Sequence, residues 1–278
     1  MHRTTNLVTA EWLAGRLGDP AIVIADCRFD LAKPHAGRAE YARDHVPGAV
    51  YLDLETDLSA PKAAHGGRHP LPAVESLVRL FGGIGIEHSV TVVAYDAQDH
   101  CMAARLWWML RYLGHDAVKV LDGGWSAWRR AGHPTTADVR PPAQRVFVPH
   151  VRSEMLLDME GLRRRLSALG GRLVDSRAPE RYRGEVEPLD PVAGHIPGAI
   201  NLPWTENQAG GVLKPTDVLR QRFAAIGSEP PIVYCGSGVS ACVNLLAMDE
   251  VGIRNAVLYA GSWSDWCSYP DNPIAKKA

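Results

Sequence analysis

The chain has 278 residues, 46% of them hydrophobic and 22% charged, with a formal net charge of -1. That length suggests roughly two domains at about 150 residues each, and the composition is that of an ordinary globular protein, neither disordered nor fibrous. A near-neutral chain offers no basic face to nucleic acid or to an acidic membrane, and no apolar run reaches the length of a membrane span.

The first residues, Met1-His2-Arg3-Thr4-Thr5-Asn6, lack the apolar core of a secretory signal. The five cysteines (27, 101, 235, 242 and 267) form no dense framework. A cytoplasmic protein with reduced thiols is therefore expected. None of the eleven histidines pairs with cysteine or carboxylate at a zinc-like spacing, so neither a metal nor another cofactor is expected.

In chain order, residues 9–17 carry apolar side chains at helical spacing, and Ile22-Val23-Ile24-Ala25-Asp26-Cys27-Arg28 reads as a buried strand ending in Asp-x-Arg. His45-Val46-Pro47-Gly48 is a turn whose proline and glycine set the bend, the histidine serving geometry first. A helical stretch over 73–81 precedes the strand Val92-Val93-Ala94-Tyr95-Asp96, and a second over 103–113 precedes Leu121-Asp122-Gly123-Gly124-Trp125. Prolines 134, 141, 142 and 149 then mark an extended connector.

After the connector the same order returns. A helical stretch over 158–169 leads to Leu173-Val174-Asp175-Ser176-Arg177, then His195-Ile196-Pro197-Gly198, then Ile232-Val233-Tyr234-Cys235. A helical run over 241–251 and Tyr259-Ala260-Gly261-Ser262-Trp263 complete it. The chain is therefore an internal repeat of α/β units: two similar domains, each a mainly parallel sheet flanked by helices. The expected division is an N-terminal domain over 1–138, a linker over 139–153 and a C-terminal domain over 154–278.

The chemistry concentrates after Cys235. Glycines 236 and 238 let the backbone fold so that successive N–H groups point inward, and the following helix turns its positive end to the same place. Thiols in such settings ionise readily, and the thiolate is the nucleophile. A cysteine merely ending a buried strand is the plain alternative.

The paired Asp-x-Arg strands, His-x-Pro-Gly turns and Gly-x-Trp segments, with Cys-Gly-Ser-Gly-Val-Ser-Ala in the second half, resemble the tandem-domain sulfurtransferases of the rhodanese superfamily. Within it the neutral Gly236-Ser237-Gly238 loop is most similar to that of 3-mercaptopyruvate sulfurtransferases. The resemblance implies that Cys235 takes sulfur from a donor as a persulfide and passes it to cyanide or a thiol. A thioredoxin-like reductant is a candidate protein partner. It implies that the first domain is non-catalytic, since Asp96 stands where the repeat places Cys235. Gly236, Gly238, Val239 and Ser240 would hold the anionic sulfur, Ser237 would bond the donor or move a proton, and His45 would be its relay. Arg181 would clamp the donor carboxylate, with Arg183 a nearby second candidate. One departure stands out: where mercaptopyruvate enzymes often carry a second arginine after Glu-Pro, Glu187-Pro188 is followed by Leu189. That leaves thiosulfate as an alternative donor.

Two readings from other classes compete. A cysteine phosphatase needs Cys-x5-Arg to clamp a phosphoryl group, and the sixth residue after Cys235 is Ala241. A persulfide relay or sensor for a protein partner shares the fold and the loop and stays open. Cys101, near the start of a helix after Asp96, is a weak candidate for a second reactive thiol.

Overall fold

The computed structural model describes residues 5–97, 99–166, 172–227 and 229–276. They fall into two compact units. The first comprises the residues up to Ala60, Pro72–Arg152 and Gly210–Leu213; the second comprises Pro61–Leu71, Ser153–Ala209 and Lys214 onward. The segment Pro61–Leu71, from the first half of the chain, thus belongs to the second unit.

In the first unit the order is β1 (Leu7–Val8), α1 (Ala10–Ala14), β2 (Ile22–Asp26), α2 (Ala36–Arg43), β3 (Val50–Tyr51), α3 (Val74–Gly83), β4 (Thr91–Tyr95), α4 (Cys101–Tyr112), β5 (Val118–Leu121) and α5 (Gly124–Arg130). The sheet runs β1-β5-β4-β2-β3 with every pairing parallel. In the second unit the order is β6 (Leu156–Leu157), α6 (Met159–Arg165), β7 (Leu173–Asp175), α7 (Pro179–Tyr182) and β8 (Ala199–Asn201). The short strands β9 (Gln208–Ala209) and β10 (Val212–Leu213) come next in the chain, then α8 (Thr216–Arg222), β11 (Ile232–Tyr234), α9 (Ala241–Val251), β12 (Val257–Tyr259) and α10 (Ser262–Trp266). Its sheet repeats the first: β6-β12-β11-β7-β8, again parallel throughout.

The apolar runs become strands because a parallel sheet covered by helices buries both faces, which strands without polar alternation require. The helix expected over 241–251 forms over that stretch as α9. The one expected over 9–17 is shorter: Thr9 caps α1 by accepting from Trp12 N–H, and Gly15 ends it. The one expected over 158–169 starts on Asp158, whose side chain accepts from Gly161 N–H at 2.7 Å; its last residues, 167–169, lie outside the described residues.

The repeated motifs build the same buried polar core in each unit. Arg28 grips Asp26 through Nε and Nη2 at 3.0 and 2.7 Å, and Arg177 grips Asp175 at 3.0 and 2.6 Å. These side chains are at most 1% exposed. Fully buried charges survive only when paired with such geometry, and removing one partner costs about 3–5 kcal/mol. Each guanidinium also donates to the backbone just before a His-x-Pro-Gly turn, Arg28 to Asp44 O and Arg177 to Gly194 O, and lies over a tryptophan, Trp125 or Trp263. The turn histidines behave alike. His45 Nδ1 lies 2.7 Å from Tyr41 O with its ring stacked on Tyr41, and His195 Nδ1 lies 2.7 Å from Tyr182 O, stacked on Tyr182.

Candidate active site

β11 is the middle strand of its sheet, and Cys235 is the first residue beyond its carboxyl end, where open α/β sheets place their ligands. The loop is tied down by the start of α10. Cys235 N–H donates to Ser262 Oγ at 3.1 Å, Trp263 N–H to Cys235 O at 3.0 Å, and Ser264 N–H to Gly236 O at 2.9 Å. Ser262 makes this grip in the left-handed region (φ 56°) while its hydroxyl donates to Tyr259 O at 2.9 Å.

Within the loop, Gly238 N–H points at Cys235 Sγ, 3.2 Å away. The turn needs glycine: Gly238 has φ 77°, and a Cβ there would run into the Ala260 carbonyl. Cys235, Ser237 and Val239 are 1%, 6% and 6% exposed, and Ser240 is half-buried just ahead of α9. A backbone donor aimed at sulfur inside a buried turn can stabilise negative charge that develops there during a reaction.

Three side chains come to this loop from elsewhere in the chain. Ser237 Oγ lies 2.7 Å from His69 Nδ1. Had Gly236 a Cβ, that atom would stand 2.8 Å from Arg68 Nη2 and 3.4 Å from each terminal nitrogen of Arg181. Arg68 and His69 sit on the segment Pro61–Leu71, which has no helix or strand and is fastened to α10 instead. Gly66 N–H donates to Asp265 Oδ1 at 2.7 Å, Arg68 N–H to Ser264 Oγ at 2.9 Å, and the His65 ring stacks on Tyr269. The start of α10 therefore aligns both the Cys235 loop and the segment that carries its partners.

Behind the arginines stands a buried acidic pair. Glu187 accepts from Arg181 Nη2 at 2.6 Å, from Arg177 Nη1 at 3.2 Å and from the N–H groups of Leu189 and Asp190. Asp190 bridges the two guanidiniums beside the loop, accepting from Arg68 Nη1 and, at 3.4 Å, from Arg181 Nη2. Among the described residues no group of three or more His, Cys, Asp or Glu side chains could hold a metal ion.

Of the residues expected from the sequence, Cys235, Gly236, Ser237, Gly238, Val239 and Ser240 form one loop, and Arg181 reaches it. Two are placed otherwise. Arg183 turns to an exposed ion pair with Glu185 at 2.8 Å, because it follows α7 on the side facing water. His45 belongs to the first unit, fully buried, with its ring committed to Tyr41 as His195 is to Tyr182. The histidine beside Ser237 is His69. Arg68 and His69 escaped the sequence reading because nothing in Gly67-Arg68-His69-Pro70 forms a motif; only the adjacency of a guanidinium and an imidazole in an irregular stretch marks it.

The first unit carries the matching loop. Asp96 follows the middle strand β4, and its carboxylate accepts from the N–H groups of His100, Met102 and Ala103 at 3.1, 3.0 and 3.1 Å. Trp125 and Ser126 tie this loop as Trp263 and Ser264 tie the other, donating to Asp96 O and Ala97 O at 2.8 and 2.9 Å. Burial and the charge of Asp99 raise Asp96 to about 6, against backbone bonds and His100 that pull it down. Cys101, 5% exposed at the head of α4, packs in this unit.

Comparison with known proteins agrees with this architecture. The family model for the rhodanese-like domain matches twice, over residues 9–131 and 158–269. A Pseudomonas aeruginosa protein named "Probable 3-mercaptopyruvate sulfurtransferase" is 43% identical over 98% of both chains. The thiosulfate sulfurtransferase of Bos taurus is 34% identical over 94% of this chain and 91% of its own. Among solved structures, SseA from Escherichia coli, described as a 3-mercaptopyruvate sulfotransferase, superposes with a TM-score of 0.83 at 34% identity, covering 94% of this chain and all of that one. With both repeats matched and relatives aligned nearly end to end, the chain belongs to the rhodanese-like family, in its two-domain form.

Proposed function

We propose that this protein is a sulfurtransferase that takes sulfur from 3-mercaptopyruvate as a Cys235 persulfide and passes it to cyanide or a thiol. The observation that carries the reading is a thiol held in a backbone cradle, Sγ 3.2 Å from Gly238 N–H, with the Ser237–His69 pair and the Arg181 guanidinium on the same turn. The relatives named above support the same chemistry.

In the first half-reaction the Cys235 thiolate attacks the donor sulfur, forming S–S as the donor C–S bond breaks. The electron pair leaves on carbon as the enolate of pyruvate, which takes the proton from the transferred sulfur, leaving an anionic persulfide. Ser237, hydrogen-bonded to His69, is placed to steady the oxygen on which enolate charge develops and to move that proton. In the second half-reaction cyanide attacks the outer sulfur, the S–S bond breaks, thiocyanate departs and the thiolate returns. Splitting one transfer into two predicts ping-pong kinetics.

A second donor has support. Two guanidiniums beside Gly236 also suit the dianion thiosulfate, and relatives of equal identity carry either donor in their names. Steady-state transfer to cyanide with the two donors side by side decides. A higher kcat/KM for 3-mercaptopyruvate is expected; a preference for thiosulfate would reverse the donor assignment.

The domains divide near 139–153 and the first has no nucleophile of its own, while the segment Pro61–Leu71 that precedes this division supplies His69. Cyanide and thiols are the acceptors this chemistry serves, a thioredoxin-like reductant being the candidate among proteins. All five cysteines are buried thiols, which fits a reducing compartment such as the cytoplasm. Among the described residues no helix is long and apolar enough to cross a membrane.

A further inference from the structure

We infer that Asp265 is a positioning residue of this site: by holding the backbone of Gly66 it docks the irregular segment Pro61–Leu71 and so sets His69 against Ser237. The inference rests on the sulfurtransferase reading and adds to it a residue that acts through another.

The two repeats differ around the helix that ties each loop. Leu121, Ala127, Arg130 and Ala131 in the first unit stand where Tyr259, Asp265, Ser268 and Tyr269 stand in the second. Each member of the second set holds a partner. The Tyr259 hydroxyl donates to Asp265 Oδ2 at 2.8 Å, and Asp265 Oδ1 accepts from Gly66 N–H at 2.7 Å. Ser268 Oγ lies 2.8 Å from His65 Nδ1, and the Tyr269 ring stacks on that of His65 with centroids 3.9 Å apart. Four positions that lack these groups in the first unit form, in the second, the berth of the segment that carries His69.

Within the berth Asp265 carries the most weight. The segment has no helix or strand and its residues 61–65 are exposed, so its place depends on a few anchors. Asp265 is 5% exposed, and a carboxylate accepting from a backbone N–H makes the stronger kind of hydrogen bond. The fully buried Tyr259 fixes its other oxygen, so the carboxylate has one orientation. From Gly66 the chain is held at successive residues. Gly67 passes so close to the Gly261 carbonyl that a Cβ has no room, and Arg68 N–H donates to Ser264 Oγ at 2.9 Å. His69 then arrives buried, Nδ1 2.7 Å from Ser237 Oγ. A slip of the segment by about 1 Å would stretch that contact beyond a hydrogen bond, and the acid–base pair would come apart.

The test is sulfur transfer from 3-mercaptopyruvate to cyanide by wild type, Asp265→Ala and Asp265→Asn, with trypsin cleavage after Arg68 followed by mass spectrometry. In folded Asp265→Ala, kcat is expected to fall about tenfold or more with KM nearly constant, and cleavage after Arg68 to quicken about tenfold as the segment leaves its berth. Combining Asp265→Ala with His69→Gln should be little worse than His69→Gln alone, because Asp265 acts through His69. Asp265→Asn keeps an oxygen for Gly66 N–H and should retain most of the wild-type kcat. Should Asp265→Ala not fold, Tyr259→Phe with Asp265→Ala takes its place, since it removes the buried hydroxyl together with its acceptor and leaves two apolar residues, as Leu121 and Ala127 are in the first unit. Wild-type kcat in the folded variant, cleavage after Arg68 no faster than in wild type, or losses that multiply with His69→Gln would each overturn the inference. A wild type inert toward 3-mercaptopyruvate overturns the parent reading and with it the catalytic role, while the cleavage alone still reports whether Asp265 docks the segment.

Discussion

The loop at Asp96 and the loop at Cys235 are one backbone device with two occupants. Each follows the middle strand of a five-stranded parallel sheet, and each is tied by two N–H groups from the helix that follows the next strand, Trp125 and Ser126 of α5 or Trp263 and Ser264 of α10. In the first, three N–H groups converge on the carboxylate of Asp96; in the second, Gly238 N–H meets the sulfur of Cys235. The anion cradle is therefore a property of the fold. What separates a structural loop from a reactive one is the residue at its head and the side chains brought to it: Arg68, His69 and Arg181 reach the second loop.

The comparison breaks most sharply at the head residue. Cys235→Ser keeps the size and the backbone but removes the thiolate, so persulfide formation and sulfur transfer should fall on the order of a thousandfold or more, to background. Mass spectrometry after incubation with donor reads this directly, as the presence or absence of one added sulfur. Retained transfer would move the nucleophile elsewhere.

A smaller effect tests the side chains recruited to the second loop. Ser237→Ala and His69→Gln should each lower kcat with 3-mercaptopyruvate by about a hundredfold, the usual contribution of one acid–base group. Because the two residues form one hydrogen-bonded pair, the double variant should be little worse than either single. Multiplying losses would mean that Ser237 and His69 work separately.

The smallest effect on catalysis is expected at Asp96. Asp96→Ala should leave kcat/KM nearly intact in the folded protein, and a large loss with the fold preserved would end the division of labour between the domains. Its signature lies in stability. From an ordinary 3.8, Asp96 is raised to about 6, so between these values the folded protein holds a proton that the unfolded chain has released. Stability should therefore fall as pH rises through that window, by on the order of 2–3 kcal/mol, and stay level above it. Urea denaturation at stepped pH should show this slope in wild type and its flattening in Asp96→Ala.

Much of this is legible in the amino-acid sequence. The repeat could be read because a buried Asp–Arg pair, a stacked turn histidine and a tryptophan over the guanidinium each demand one residue type, so both halves keep the same letters. Cys235 and its glycines could be read for the same reason: a turn with φ 77° beside the Ala260 carbonyl admits nothing but glycine. These are local demands, met within a few residues.

The rest depended on contacts the linear order hides. His69 and Ser237 stand 168 positions apart, and no periodicity in an irregular segment announces that it will dock on α10. Arg181 was the first candidate for the clamp and Arg183, two residues on, the second; the chain around α7 sends Arg181 to the loop and Arg183 to solvent. His45 looked like a relay and is a fixture of its own unit, as its twin His195 is. The amino-acid sequence by itself determined the repeated α/β frame and the glycine-rich loop that holds Cys235, because those follow from backbone geometry and burial near each residue. That His69 meets Ser237, and that Arg68 joins Arg181 beside Gly236, only the tertiary structure decided, because both depend on where the chain returns after more than a hundred residues.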